Sequence, residues 1–487
     1  VVKQQKSVRF NFFLNASRVV FGILIGFFTM PYVNRTIGVD GLGKVEYVNS
    51  IITYFILFSG LGIPMYGIRE TANKRNNVEA RSKLVIELLS ILTVTTIVSY
   101  LIMFFVVLKI PSLESLKNLI VLTSSMIFLT NLGVEWFYQG IEDQLYITAR
   151  YFFVRILALI LLFVFVTSKD DYLYYSVIMV LSSVGGNLFN LINLKKYISF
   201  KDITFESLDF KQHLKPIFTI FIASISISIY VQLDNLMLGA LNGSKSVGYY
   251  AMANKLIRFV IVPITTLGTV LLPRLSFLVK NDKQQYFIYI KKVLNYFLIL
   301  SFPFVVLFLM LAKDFTLVIG GQEFLPSVLT MQILSPIIII VSFAYFLGYL
   351  VLYPQGKEYI YTTAVILSAS LSIIFNFYLI PKFGYNGAAV VAVLSELVGV
   401  IVMVFLYYKE LSYLKLLNKS LVYFIASSVI MGAVIFVISF FNFISILNLI
   451  VSSVIGGFSF FLSLYFFKEI TILGIVDEMK SKLRIFR

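Results

Sequence analysis

The 487-residue chain has no cysteine and a single histidine, His213. Without thiols it forms no disulfide, carries no thiolate metal site and attaches no haem through cysteine. One histidine cannot supply a Ser/His/Asp constellation or a metal site on its own, and His213 reads as a loop residue. No cofactor or metal is expected. Charge is scarce too: 13% of residues are Asp, Glu, Lys or Arg, against about 25% in soluble domains, so no soluble domain fits in the chain. No G-x-x-x-x-G-K-[ST] loop is present, which excludes an ATP-driven pump of the ABC type within this chain. The basic start Lys3, Lys6, Arg9 leads into an apolar run without an A-x-A cleavage site. The first helix is therefore expected to be retained, not removed as a signal peptide.

What is there is apolar sequence, 59% of the residues, arranged in fourteen runs. A hydrocarbon core of about 30 Å takes roughly twenty helical residues per crossing, and these runs are too long and too continuously apolar for barrel strands. Spans are expected at 10 to 34, 45 to 68, 83 to 108, 117 to 139, 147 to 168, 172 to 194, 214 to 240, 247 to 273, 288 to 311, 327 to 352, 358 to 380, 385 to 408, 419 to 440 and 445 to 467. The predicted fold class is all-α, a polytopic membrane protein with 14 transmembrane helices.

The net charge of +16 would suit nucleic acid if it were clustered in a soluble region, but its distribution tells otherwise. With a cytoplasmic N-terminus, and with charges near a span's end counted in the adjoining segment, 28 Lys and Arg fall in inside segments, 8 in outside loops, and four (Arg18, Arg155, Lys255, Arg258) deep within spans. This is the positive-inside bias. It predicts both termini in the cytoplasm and no nucleic-acid partner.

The longest inside segment, Lys195 to Lys215, carries Asp202, Glu206, Asp209 and His213 and divides the chain into six spans and eight. A weak internal echo supports that division. Gly38 to Gly43 opens span two, which ends at Pro64 and Arg69; Gly239 to Gly248 opens span eight, which ends at Pro273 and Arg274. Parallel repeats are a recurrent transporter plan. No outside loop exceeds about fifteen residues, so no ectodomain is available to hold a catalytic site.

Ionisable side chains deep in a span cost about 2.5 to 3.5 kcal/mol even on the lenient insertion scale, and they usually face a cavity or one another. Arg18 on span one and Arg155 on span five lie about 12 Å from the inner edge, with Glu135 slightly shallower on span four. These three either share one inner cluster, or the arginines snorkel to the headgroups. Lys255 and Arg258 are three residues apart on span eight, on one helix face and close to the midplane. Asp234 on span seven matches the depth of Lys255, which points either to a structural pair or to a substrate role for the lysine. Arg258 then stays unmatched, and an unmatched midplane guanidinium suits the passage of a phosphate group. Glu396 on span twelve is the other midplane acid, either a proton or cation site or a packing residue near Ser395.

Several stretches, taken in order, resemble one family. Arg35-Thr36-Ile37-Gly38 with Gly41 and Gly43, then Leu61-Gly62-Ile63 and Gly67-Ile68-Arg69-Glu70, are similar to the first two helices of Wzx-type oligosaccharide flippases of the multidrug/oligosaccharidyl-lipid/polysaccharide exporter superfamily. The likeness continues through Gln232-Leu233-Asp234, Met237-Leu238-Gly239, Val247-Gly248-Tyr249-Tyr250, Ala253, Lys255-Leu256 and Leu272-Pro273, and again at Asn376 through Pro381, Gly384, Gly387-Ala388-Ala389 and Glu396. It implies two six-helix lobes around a central cavity, 1–200 and 201–410, with helices 13 and 14 and a cytoplasmic tail in 411–487.

The implied activity is transfer of an undecaprenyl-pyrophosphate-linked oligosaccharide from the cytoplasmic to the outer leaflet of a bacterial cell membrane, for capsule or exopolysaccharide synthesis. Alternating access would carry it, without enzymatic chemistry. Arg18, Arg155, Lys255 and Arg258 are the expected pyrophosphate contacts, and Glu135, Asp234 and Glu396 the expected coupling or structural acids. The expected partners are the lipid-linked glycan, membrane lipids, a coupling proton or sodium ion, and a polysaccharide polymerase. Three other readings fit less well: a teichoic-acid or lipid II flippase, which differs in the headgroup; a multidrug antiporter, which would favour an acid-rich cavity; and a membrane glycan polymerase or ligase, which would carry a large outside loop.

Overall fold

The computed structural model describes residues 8–199, 208–414, 419–474 and 476–477. Lys3, Lys6, Asp202, Glu206 and the expected lobe boundary at 200/201 lie outside the described residues. Those described form helices and no strand. The chain divides into two compact units, Val1–Gly248 and Tyr249–Arg487.

The first unit contains α1 (Val8–Gly60), α2 (Ile63–Lys74), α3 (Val78–Phe105), α4 (Lys117–Asn131), α5 (Glu135–Gly140), α6 (Gln144–Phe165), α7 (Tyr172–Val180), a π-helical turn (Leu181–Gly185), α8 (Asn187–Leu194), α9 (Lys211–Asn242) and the start of α10 (Ser244–Asn281). α1 packs against α3, α4, α6 and α9. The second unit continues from α10 through α11 (Lys283–Met310), α12 (Ala312–Ile319), α13 (Ser327–Leu334), α14 (Ile337–Tyr345), a π-helical segment (Phe346–Leu352), α15 (Glu358–Leu406), α16 (Tyr408–Leu414), α17 (Lys419–Ser439) and α18 (Ser445–Phe466). There α17 and α18 pair as a helical hairpin against α11, and α13 and α14 lie on α15.

Eleven helices among the described residues are long and apolar enough to cross a membrane. In hydrocarbon every backbone group must be satisfied within the segment, which only helices achieve for single runs such as these. Their outward faces are apolar: Val94, Ile97, Val98, Leu101 and Ile102 of α3 are all exposed, the reverse of a soluble surface. Polar caps mark ends outside that apolar zone. Asn77 accepts from Ala80 N at 3.0 Å, and Asp282 from Gln285 N at 2.9 Å, each satisfying an orphan amide of the first turn.

Two of these helices are long enough for two crossings. α1 has 53 residues and α15 has 49, and each breaks at a glycine with positive φ, Gly38 (67°) and Gly384 (54°). Each arm exceeds twenty residues. Glycine takes such angles without the Cβ clash that penalises other residues, so the two breaks fall where the glycine-rich sequence predicts turns.

Four expected spans are not continuous α-helices: span two breaks at Leu61 and Gly62, between α1 and α2, and span six is divided into α7, a π-helical turn and α8. Span four is interrupted between α4 and α5, where Val134 adopts a left-handed φ of 42°. Span ten is divided into α13, α14 and the π-helical segment. His213 also departs from expectation. It sits in the first turn of α9 and is 1% exposed. Its Nδ1 lies 2.7 Å from Tyr66 Oη and its Nε2 2.8 Å from Glu87 Oε2, and Glu87 Oε1 accepts from Asp209 N at 2.7 Å. Burial with two polar partners makes it a structural tie between α2, α3 and α9.

Candidate functional site

The break in span four builds a cluster of charge. Interrupting a helix frees carbonyls that must find other donors, and here two asparagines of α8 provide them. Asn187 Nδ2 donates to Leu129 O at 2.9 Å, and Asn190 Nδ2 to Gly133 O at 2.7 Å. Fixed in that way, Asn187 presents its Oδ1 to Arg150 Nη1 at 3.1 Å; the same nitrogen donates to Gly186 O, also at 3.1 Å. Arg150, with 7% of its side chain exposed, then holds Glu135 through Nη2 and Oε2 at 3.1 Å.

The other oxygen of Glu135 faces Arg18. Arg18 Nη1 lies 3.8 Å from Glu135 Oε1, and Arg18 Nη2 donates to Asn15 Oδ1 at 2.8 Å. Both Arg18 and Arg155 approach the ring of Tyr151, at 6.0 and 5.2 Å from its centroid. The Nε of Arg155 is buried and has no hydrogen-bond partner among the described residues.

The cluster therefore sets three guanidinium groups against one carboxylate inside membrane-spanning helices. Like charges in a medium of low dielectric repel strongly, and the electron-rich face of Tyr151 offsets only part of that. Arg150 is committed to Glu135 and to backbone. Arg155 forms no ion pair among the described residues, Arg18 stands 3.8 Å from Glu135, and the Nε of both Arg150 and Arg155 lacks a partner, so the arrangement favours a multiply charged oxyanion, which takes several N–H donors at once.

Of the residues singled out by depth, Arg18, Glu135 and Arg155 meet here. Asp234 lies elsewhere in the first unit, on α9, close enough to act electrostatically on the Tyr54 hydroxyl of α1. Lys255 and Arg258 belong to the second unit, one turn apart on α10 and both partly exposed. Among the described residues Arg258 forms no ion pair. Glu396 is partly exposed on α15 and acts on the hydroxyl of Tyr361.

Arg150 and Tyr151 were not among the expected site residues. The charge count assigns Arg150 to the inside turn before span five because it lies near the end of the run. A signal was nonetheless present: Arg150, Tyr151 and Arg155 fall within one and a half turns of a single apolar helix.

Comparison with known proteins agrees with this picture. Residues 8–279 match the family described as polysaccharide biosynthesis protein. A protein of Escherichia coli K12 named "Putative O-antigen transporter" is 22% identical over 378 residues, covering 77% of this chain and 90% of the relative. A namesake from Shigella dysenteriae is 21% identical, covering 78% and 95%. Among solved structures, the lipid II flippase MurJ in an inward closed conformation superposes with a TM-score of 0.69 at 16% identity, covering 92% of this chain and 99% of that one. A multidrug resistance MATE family transporter in an inward-facing conformation gives 0.63 at 14% identity, covering 82% and 95%. At these identities the structural likeness establishes the fold alone.

Proposed function

Because this chain belongs to the polysaccharide biosynthesis protein family, we propose that it is a flippase for an undecaprenyl-pyrophosphate-linked oligosaccharide, serving capsule or exopolysaccharide synthesis in a bacterial cytoplasmic membrane. The observation that carries this reading is the Arg18, Arg155 and Arg150 cluster around Glu135 and Tyr151. A sugar headgroup cannot cross hydrocarbon unaided, and a pyrophosphate in transit needs cations that are already desolvated and already pointed at it. An exporter of amphipathic cations would be opposed by the same charges.

In this proposal fourteen crossings arise from the eleven apolar helices, from the two helices that break at Gly38 and Gly384, and from α9. Both termini are cytoplasmic, and two six-helix lobes alternate access to a central cavity. Arg258 and Lys255 receive the pyrophosphate from the opposite lobe. Glu135, which faces both Arg18 and Arg150, is the first lobe's candidate coupling or structural acid, and it competes with the substrate for Arg18 while Arg150 stays tied to Gly186 and Asn187. Asp234 and Glu396 are the remaining candidates for coupling to a proton or sodium gradient. A polysaccharide polymerase takes the product on the outer side.

Complementation tests the reading. Strains lacking a flippase for capsular repeat units, for teichoic-acid precursors or for lipid II are each supplied with this gene. Rescue of the capsule-deficient strain is expected, and rescue of the lipid II strain alone would assign a different headgroup.

A further inference from the structure

Tyr151 is shared by Arg18 and Arg155, and a glycine makes room for it. Arg18 and Gly22 are four residues apart on α1, and Tyr151 and Arg155 four apart on α6, so each pair lies on one helix face. The two guanidinium carbons lie 6.0 and 5.2 Å from the centroid of the Tyr151 ring. Its hydroxyl end abuts α1: a Cβ built on Gly22 would overlap Tyr151 Oη, yet stand 3.6 Å from Cζ, an ordinary contact. Beside it Phe21 of α1 and Phe152 of α6 meet edge to face, with centroids 4.5 Å apart and planes at 88°. The two helices are close enough at this level that the tyrosine fits only because residue 22 has no side chain.

The backbone does not call for glycine at this position. Gly22 has an ordinary helical conformation within the first arm of α1, where alanine is the better helix former. What calls for glycine is the space taken by the Tyr151 hydroxyl. Electrostatics give the ring its task. Two guanidinium groups brought together within a span repel each other, and Arg18 has other partners to turn to, donating to Asn15 at 2.8 Å and standing 3.8 Å from Glu135. The electron-rich face of the ring attracts both cations and so offsets the repulsion that would part them.

We propose that Tyr151 is a positioning residue that holds Arg18 and Arg155 together for the two phosphoryl groups of one pyrophosphate, with Gly22 making its place. This rests on the flippase reading and adds to it a basis for telling a lipid diphosphate from a lipid monophosphate. One guanidinium fork suffices for a single phosphate. A diphosphate carries oxyanions on both phosphorus atoms, and it gains over a monophosphate only where a second fork is held within reach beforehand. On arrival it supplies the negative charge that the ring supplied in part, and the guanidinium groups turn from the ring to the phosphates.

Native mass spectrometry of the full-length protein tests this, with undecaprenyl pyrophosphate and undecaprenyl phosphate as probes. The unaltered protein should prefer the pyrophosphate lipid. Gly22→Ala displaces the ring, since its new carbon meets only the far end of a side chain, and Tyr151→Leu removes the ring. Each should weaken the pyrophosphate lipid about tenfold and leave the monophosphate lipid within about twofold. Tyr151→Phe keeps the ring and should lose less. Gly22→Ala combined with Tyr151→Phe lacks the oxygen that the new carbon would strike, and it should recover most of the preference. Should Tyr151→Leu fail to fold, Gly22→Ala with and without Tyr151→Phe decides the matter. A packing role alone would weaken both lipids together. That result, an unchanged preference in Gly22→Ala, or an unaltered protein that binds both lipids alike overturns the positioning role and leaves the flippase reading intact. Failure of the unaltered protein to bind either lipid overturns both.

Discussion

Gly43 and Gly248 touch backbone to backbone: a Cβ on Gly43 would lie 2.8 Å from Gly248 N and 1.9 Å from Ser244 O, and one on Gly248 would lie 2.1 Å from Val39 O. These are the two glycines that the internal echo sets in register, 205 residues apart, and they bring the second arm of α1 against the start of α10. Gly43→Ala and Gly248→Ala should each lower thermal stability by about 1 to 3 kcal/mol, the usual cost of overpacking. Gly457→Ala, where nothing lies within 4 Å of the added carbon, is the control and should leave stability unchanged or slightly raised. Detergent-solubilised melting curves decide it; equal behaviour of all three variants would show that the contact does not constrain the fold.

His213→Ala should remove a fully buried tie. Tyr66 Oη and Glu87 Oε2 would each lose the imidazole, and an unsatisfied buried polar group costs about 1 to 3 kcal/mol, more if charged. A lower melting temperature with unchanged membrane insertion is the expected result. Stability equal to the unaltered protein would mean that the imidazole contributes nothing.

Lys357 and Glu410 pair at 2.5 Å, joining the turn before α15 to the helix after it. Hydrogen bonding to Glu410 holds the Lys357 ammonium above its ordinary value, and the same contact holds the Glu410 carboxyl below its own. A depressed carboxyl stabilises the fold above its unfolded range and loses that contribution as pH falls through the folded value. A raised ammonium stabilises below its unfolded range and loses it as pH rises through the folded value. Lys357→Ala should therefore lower the melting temperature by a constant small amount between about pH 5 and about pH 10. The gap to the unaltered protein should close in acid, and a gap that persists at pH 3 would assign the effect to something other than this pair.

The cysteine-free chain makes topology easy to test. Glu206→Cys, in the segment expected to face the cytoplasm, should resist an impermeant thiol reagent in intact cells and react once the membrane is opened. Labelling in intact cells would reverse the orientation.

The sequence was most informative where physics is strictest. Hydrocarbon forces long apolar runs, so the helical class and most span positions could be read directly. The expense of buried charge also marked Arg18, Glu135 and Arg155 before any contact was known. The break before Glu135 was not legible, because interrupting an apolar run leaves its composition unchanged; what permits it are Asn187 and Asn190, more than fifty residues away, which take up the freed carbonyls. His213 was misread because a polar loop composition continues into the first turn of α9, and only the fold brings Tyr66 and Glu87 to it.

The central claim, that guanidinium groups within the spans carry a lipid-linked pyrophosphate, is tested most directly by translocation in proteoliposomes. The unaltered protein should move an undecaprenyl-pyrophosphate-linked oligosaccharide between leaflets. Arg18→Ala, Arg155→Ala and Arg258→Ala should abolish movement while reconstituting normally, and Arg18→Lys should restore only part because the bidentate fork is lost. Transport at the unaltered rate by well-folded Arg18→Ala and Arg258→Ala proteins would contradict the account.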